Sequence, residues 1–182
     1  MPSAKNHRAR VALAVAGAAL ATAVAAPAPA LAHGCGPVNA NPNTISAKAA
    51  KKTTLCLLNR IRRSHHLRPF RANHDLSLAS QRHASDMAVN HYFAHGDFVG
   101  RIRGAHYLNR SHGWTLGENI AWGSWQYATP AAIVDGWMHS PPHRANILNG
   151  RFHEIGLGVA RGAPERGQQN AGTYVTDFGA RF

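Results

Sequence analysis

Apolar residues recur at helical spacing in the first half of the chain and at alternating spacing near its end. From Ser46 onward, basic residues occupy the positions between the apolar ones, which predicts an amphipathic helix over about 46–65. Its apolar stripe consists of Ala50, Leu55, Leu58 and Ile61. This helix ends before Pro69.

A second apolar stripe predicts a helix that runs to about Val89, with Asn73 or Asp75 as its N-cap. His83 lies on this stripe. A single histidine on an apolar face is usually a hydrogen-bonded core residue, so we expect a structural role for His83 rather than a ligand role.

The middle of the chain predicts a short helix at about 101–107 and an extended segment that begins at Trp114. Thr129 followed by Pro130 is a typical N-cap and N1 pair, and the helix that it starts should end near His139. The next two residues after Ser140 are prolines, which interrupt that helix and favour a second short helix over about 142–148. The sequence therefore predicts a corner at Ser140.

Near the end, the segments 155–160 and 173–178 predict two strands that pair as an antiparallel hairpin. A Gly/Pro/Gln-rich loop over 161–172 separates them. Because helices come first and strands concentrate late, we expect an α+β fold in which helices pack on an antiparallel sheet.

Residues 1–32 have the pattern of a secretory signal peptide: a basic start, an apolar run over 11–26 and the cleavage signal Ala30-Leu31-Ala32. The run of sixteen apolar residues is shorter than the ~20 that span a bilayer, so cleavage is favoured over a membrane anchor. We therefore expect a secreted mature chain without a transmembrane segment. It would comprise an N-terminal extension at 33–54 and one domain at 55–182.

The chain is basic, with a net charge of +12 that falls to +9 when the three cations and no acids of the signal peptide are removed. This charge favours anionic partners outside the cell, such as acidic polymers or lipid head groups. Nucleic acid is not expected as a partner, because the cations are scattered and no nucleic-acid-binding motif is present.

Cys35 and Cys56 are the two cysteines, and an oxidising compartment favours their pairing. We predict a Cys35–Cys56 disulfide that ties the Pro/Asn-rich segment to the first helix. Metal ligation by the two thiols is the weaker alternative, because no second pair nearby completes a tetrahedral site.

Four polar residues lie where a functional site can form: His95, Glu118, Ser140 and His143. Two imidazoles and a carboxylate can bind zinc, or can act as general acid and base, with Glu118 as the candidate base. The pairs His91/His95 and His139/His143 have i, i+4 spacing, but a helix exit interrupts the first and prolines the second. There is no Gly-x-Ser-x-Gly motif and no unpaired thiol to act as nucleophile.

Aromatic residues flank the segment that contains Glu118 and can either stack on sugar rings or pack in the core. They are Trp114, Trp122, Trp125 and Tyr127. Core packing is the expectation for Trp114 and Trp122.

Five motifs in this order resemble the CAP superfamily of cysteine-rich secretory proteins, antigen 5 and pathogenesis-related proteins, and its bacterial secreted SCP-like branch most of all. They are His95 in Tyr-Phe-Ala-His, Gly117-Glu-Asn-Ile120, the run from Trp137 to Leu148, Ile155-Gly-Leu-Gly158 and Tyr174-Val-Thr-Asp-Phe-Gly179. The resemblance covers the chain from about Leu55 onward.

The resemblance implies a three-layer α-β-α sandwich with a central antiparallel sheet and a cleft that holds two histidines and two acids. Here His95, Glu118 and His143 match three of those positions. Ser140 stands at the fourth, where eukaryotic members usually have Glu. One carboxylate is thus missing, which weakens any proton-transfer chemistry more than zinc binding by His95 and His143.

Three hypotheses follow. The first is a secreted module at the cell envelope that binds a ligand (lipid, polysaccharide or protein) or Zn²⁺ and requires no cofactor. The second is a zinc-dependent hydrolase or protease with zinc on His95 and His143 and Glu118 as base. The third is an electrostatic binder of anionic wall polymers. The sequence leaves catalysis undecided, and the missing carboxylate favours binding.

Overall fold

The computed structural model describes residues 34–109 and 111–182, so the predicted signal peptide at 1–32 lies outside the described residues. The helices and strands are, in chain order, α1 (Ala47–Ser64), β1 (Arg71–Ala72), α2 (His74–Asn90), α3 (Phe98–Gly104), β2 (Trp114–Ser124), α4 (Pro130–His139), α5 (Pro141–Ile147), β3 (Glu154–Arg161) and β4 (Ala171–Arg181). A short 3-10 helix at Trp125–Ala128 connects β2 to α4.

The helix starts follow from capping side chains. Asn73 Oδ1 accepts hydrogen bonds from the backbone of Asp75 and Leu76, which identifies Asn73 as the cap of α2. Thr129 caps α4 as predicted. The prediction for α3 was three residues late, because Asp97 accepts a hydrogen bond from Gly100 N and starts the helix at Phe98.

The sheet has the strand order β1-β3-β4-β2. β4 pairs antiparallel with both β3 and β2, so the predicted β3–β4 hairpin is confirmed. β1 was not predicted; it adds two residues that pair parallel with β3 and makes the sheet mixed at that end. At the other end β2 forms the edge of the sheet.

Helices cover both faces of the sheet, which confirms the α+β fold as a three-layer α-β-α sandwich. One core joins α1 and α4 to β3 and β4, with Leu58, Trp137 and Phe178 at its centre. On the opposite face α2 packs against the sheet through residues such as Met87 and Val175.

The strand β3 shows why α2 can lie directly on the sheet. Its apolar side chains point toward α1, whereas Gly156 and Gly158 face α2. A Cβ at Gly158 would lie 2.1 Å from the backbone oxygen of Ser80. The alternation of large residues and glycines therefore gives a full core on one face and backbone contact on the other.

A buried arginine fixes the segment that follows α5. Arg62 is 1% exposed and lies 3.8 Å above the ring of Phe70. Its guanidinium donates to the carbonyls of Ile147 (2.8 Å), Asn149 (3.0 Å) and Phe152 (3.1 Å). Burial lowers the pKa of Arg62, and these carbonyls compensate for the lost hydration of its charge.

The segment before α1 is fastened at both ends. The predicted disulfide between Cys35 and Cys56 is confirmed and joins the segment to α1. Asn41 Nδ2 donates to the carbonyls of Trp125 and Asn170, both at 2.8 Å. Residues 34–45 therefore connect α1 with the far end of the sheet.

In the described part of the chain, no helix has the length and apolar character needed to cross a bilayer.

We predict that the disulfide makes a large contribution to stability. Its two cysteines are 21 positions apart, and opening a loop of this size should lower the free energy of unfolding by about 3 kcal/mol. The measurement is denaturant unfolding of the protein with and without reductant. Cys35→Ser/Cys56→Ser is the control, because it should match the reduced protein and should not respond to reductant.

We also predict opposite effects of alanine at two glycines. Gly158→Ala should destabilise the protein by about 2 kcal/mol or more, because the added methyl meets the α2 backbone. Gly136→Ala, in α4, should stabilise it by up to about 1 kcal/mol, because space is open there and alanine favours the helix. The measurement is the melting temperature of each variant relative to the wild type. Equal changes in the two variants would contradict the close contact between α2 and β3 at Gly158.

Candidate functional site

The candidate site lies beside the edge strand β2. On one side is the loop that follows α2 and carries His95; on the other is the corner between α4 and α5 that carries Ser140 and His143. Glu118 belongs to β2 itself. The strand thus lies between the two histidine-bearing segments.

Glu118 holds His95 in place. Its Oε1 lies 2.7 Å from His95 Nδ1, and its Oε2 accepts a hydrogen bond from Arg101 Nη2 at 2.7 Å. The Glu118 side chain is 1% exposed, whereas the His95 ring is 51% exposed. Both carboxylate oxygens are therefore engaged below the surface, and Nε2 is the nitrogen of the half-exposed imidazole that Glu118 does not contact.

A second acid lies beneath Glu118. Asp177 stands directly opposite Glu118 in the β2–β4 pairing and is 1% exposed. Its Oδ2 is 2.7 Å from Ser80 Oγ. Burial, and then the charge of Glu118, raise the pKa of Asp177 well above its usual value. A proton on Asp177 gives this buried pair one negative charge instead of two.

On the other side of β2, Ser140 orients His143. Ser140 ends α4 and precedes Pro141, so the predicted corner is confirmed. Ser140 Oγ lies 2.8 Å from His143 Nδ1. Burial, and then the nearby His95, lower the pKa of His143, which favours its neutral imidazole at neutral pH.

Side chains from the corner also satisfy the free edge of β2. Asn146 Nδ2 donates to the carbonyl of Glu118 (3.2 Å), and Trp137 Nε1 donates to the carbonyl of Ile120 (3.3 Å). In return, Asn119 Nδ2 donates to the carbonyl of His143 (3.0 Å). These bonds fix the corner, and with it His143, relative to the strand.

An apolar cleft of about 370 Å³ opens next to His143. Phe93 and Tyr127 are its exposed aromatic lining residues, at 47% and 67% exposure. Its walls also include Ile120, Trp122, Ile133 and Trp137, and Ser140 and His143 add polar side chains.

The structure thus places His95, Glu118, Ser140 and His143 beside β2 in two hydrogen-bonded pairs, His95 with Glu118 and Ser140 with His143. His139 points away: it is 78% exposed and lies 2.9 Å from the carbonyl of Asp135. His83 is a core residue as expected, 1% exposed, with Nε2 at 3.0 Å from the carbonyl of Ala94. The core assignment of Trp114 is wrong, because it is 43% exposed at the start of β2.

Sequence reasoning missed Arg101 and Asp177. Asp177 could have been recognised from the sequence. It is an acid within the last predicted strand, at a position where the alternation of side chains makes it face a layer of helices. Arg101 had no such signal, because nothing in its local sequence distinguishes it from the other scattered arginines.

The side chains of the candidate site supply only some of the ligands that a metal ion needs. Among residues 34–109 and 111–182, no group of three or more His, Cys, Asp or Glu is arranged to hold a metal ion. His95 and His143 each have Nδ1 occupied by a protein group, and each keeps Nε2 for a ligand. Two imidazole nitrogens can hold Zn²⁺ only if water or a bound ligand completes the tetrahedron.

Two bacterial proteins from Bacillus subtilis are similar in sequence. The uncharacterized protein YkwD is 35% identical over 117 residues, which cover 62% of this chain and 43% of YkwD. The uncharacterized membrane protein YlbC is 32% identical over 117 residues, which cover 62% of this chain and 32% of YlbC. The chain thus spans less than half the length of each relative.

Solved structures share the fold. An extracellular protein containing a SCP domain from Bacillus anthracis superposes with a TM-score of 0.55 at 24% identity, over 74% of this chain and 43% of that one. An outer surface protein from Borrelia burgdorferi gives a TM-score of 0.62 at 21% identity, over 76% of this chain and 97% of that one.

The family model described as the cysteine-rich secretory protein family, CAP, matches residues 55–177. This match contains Glu118, both site histidines and the strands on which they depend, and it covers more than half of the chain. The protein therefore belongs to the CAP family.

Proposed function

We propose that the protein is a secreted binding module that holds its ligand at His95 and His143. One observation carries the proposal: each imidazole has its Nδ1 engaged, by Glu118 in one case and by Ser140 in the other. This fixes the orientation of each ring and leaves Nε2 as the binding atom. Rigid support of this kind is what a binding site requires before its ligand arrives.

A transition-metal ion such as Zn²⁺ is the first ligand that we propose for these nitrogens. Neutral imidazole is a good zinc ligand, and the pKa of His143 is shifted in the direction that keeps it neutral. Bound zinc would act as a Lewis acid for oxygen or nitrogen groups of a further ligand. The protein residues supply orientation: Glu118 for His95, and Ser140 for His143.

The cleft beside His143 gives the site its second property. It is lined mainly by aromatic and aliphatic side chains, with Ser140 and His143 among its few polar residues. Such a surface suits a ligand with an apolar body and one polar end, as in a lipid or a modified sugar of the cell envelope.

An extracellular location accords with the names of similar proteins. One solved relative is described as an extracellular protein and another as an outer surface protein. The Cys35–Cys56 disulfide suits an oxidising compartment. The proposed export signal at 1–32 would deliver the chain there.

The arrangement gives less support to a hydrolase. Glu118 is buried, and both of its oxygens accept short hydrogen bonds, so it lacks the access to a bound water that a general base needs. Asp177 lies still deeper. Both cysteines are in the disulfide, which removes thiol nucleophiles from the described residues.

We predict that Zn²⁺ binding depends on both histidines. His95→Ala and His143→Ala should each weaken zinc affinity by about tenfold or more, because each removes one of two protein ligands. Calorimetric titration of the purified protein measures this. His139→Ala is the matched control, since His139 lies in the same corner but is exposed and bonds to Asp135. Unchanged affinity in the first two variants would remove the metal from the proposal.

We further predict that Glu118 acts by positioning. Glu118→Gln should weaken zinc affinity by about 10–100-fold, because the carboxylate orients His95. Glu165→Gln, in the exposed loop before β4, should have no effect. Both variants and the wild type should leave a panel of peptides and glycans intact. If the wild type hydrolyses a member of the panel and Glu118→Gln does not, the protein is instead a hydrolase.

A further inference from the structure

Trp125 has a backbone conformation that bulky residues rarely adopt. Its φ is 53°, in the left-handed region that favours glycine, asparagine and aspartate. The chain holds it there: Trp125 N donates to the carbonyl of Asn170 (3.0 Å), and Asn41 Nδ2 donates to the carbonyl of Trp125 (2.8 Å). Asn170 also has a positive φ, 48°, which asparagine tolerates.

The side chain of Trp125 is not used for packing of the core. It is 55% exposed and belongs to neither of the two cores that cover the faces of the sheet. A large apolar ring is thus held outward on a turn that is fixed by hydrogen bonds. A contact that is rigid before binding loses little entropy when a ligand arrives, which is the usual reason to maintain an unfavourable backbone.

Exposed residues next to Trp125, along the two segments that its hydrogen bond to Asn170 joins, are mainly neutral amides, together with the exposed Tyr127. Gln126 follows it, and the chain reaches Asn170 through Gln168 and Gln169; all four are exposed. Amide side chains donate and accept hydrogen bonds without carrying charge. Nearby in this loop, Glu165 and Arg166 contribute one charge of each sign. We call Trp125, Gln126, Gln168, Gln169 and Asn170 the Trp125 patch.

From this combination we propose that the Trp125 patch binds a neutral glycan chain. The C–H groups on one face of a pyranose ring can pack on the indole face, whose π-system is electron-rich. The amides can bond to the hydroxyl or N-acetyl groups at the ring edge. An anionic polymer would require a cluster of arginine or lysine. A bilayer surface would require cationic residues beside the apolar ones, and the turn at 124–129 contains a second exposed aromatic residue, Tyr127, but no lysine or arginine.

The Trp125 patch shares no residue with the two-histidine site or with the cleft beside it, although Tyr127, two positions further on, lines that cleft. The backbone of Trp125 is hydrogen-bonded to Asn170 and Asn41, whereas His143 lies at the corner between α4 and α5. Glycan binding by the patch therefore does not depend on zinc binding, and the two proposals can fail independently.

The test is calorimetric titration of the purified protein with hexamers of β-1,4-linked N-acetylglucosamine, β-1,4-linked glucose and α-1,4-linked glucose. At least one hexamer should bind, and Trp125→Gly should weaken that binding by about tenfold or more, as expected when a stacked ring is lost. The melting temperature of Trp125→Gly should stay within about 2 °C of the wild type or rise, because glycine adopts a positive φ without strain.

Two further variants separate recognition from folding. Trp114→Ala removes another exposed tryptophan, at the opposite end of β2, and should bind as the wild type does. Gln168→Ala/Gln169→Ala changes only exposed side chains and should weaken binding without changing the melting temperature. Affinity should change by less than about twofold between about 0.05 and 0.5 M NaCl, because no ion pair is involved.

Several outcomes would overturn the proposal. These are no binding of any hexamer, wild-type affinity in Trp125→Gly, or an equal loss in Trp114→Ala. Binding to phosphatidylglycerol vesicles in place of the hexamers, lost in Trp125→Gly, would assign the patch to a membrane surface. A steep fall of affinity with salt would assign the interaction to the net charge of the chain.

Discussion

An edge strand has backbone groups that no neighbouring strand can bond. At β2, side chains supply hydrogen bonds to these groups, and the same side chains position the site. The free carbonyls of Glu118 and Ile120 receive hydrogen bonds from Asn146 and Trp137, two residues of the dense run Trp137–Leu148. Buried carbonyls without donors would cost free energy, so the corner between α4 and α5 is held where those donors can reach. His143 belongs to this corner, so the same hydrogen bonds fix its position beside β2. The same strand, through the side chain of Glu118, positions His95.

The burial of acids shows how the site is assembled in a basic chain. There are eight acidic residues against twenty lysines and arginines, yet Glu118 and Asp177 are buried side by side. Arg101 and His95 compensate for Glu118 directly, whereas the raised pKa of Asp177 limits the charge of the pair. Of these two acids only Glu118 contacts a site histidine, His95. Ser140, which stands where the resemblance implies the second acid of the site, orients His143 with a hydroxyl and adds no charge.

Much of the fold could be predicted because its signals are local. Stripes at helical spacing indicated α1 and α2, the Thr129-Pro130 pair indicated the start of α4, and the two prolines indicated the corner. The short β1 and the exposure of Trp114 could not be predicted in this way, because each depends on tertiary neighbours. The cap of α3 was a local signal that the prediction overlooked, since Asp97 bonds to Gly100 only three positions later. The four site residues were candidates from the sequence alone, and the family resemblance supplied the expectation that they share one cleft. Arg101 reaches Glu118 across 17 positions, and no local pattern in the chain announces such a pairing.

The hydrogen bonds of Asn41 and Asn43 limit the order in which parts of the chain can fold. They join a segment that is synthesised early to Asn170 and Ala171, which lie 129 and 128 positions later. A chain that crosses a membrane from its N-terminus would expose residues 34–45 long before β4 arrives to receive them. The disulfide to Cys56 needs only 21 positions and can close first. In a chain that crosses a membrane in this way, the disulfide can therefore keep this segment against α1 until the last strand emerges.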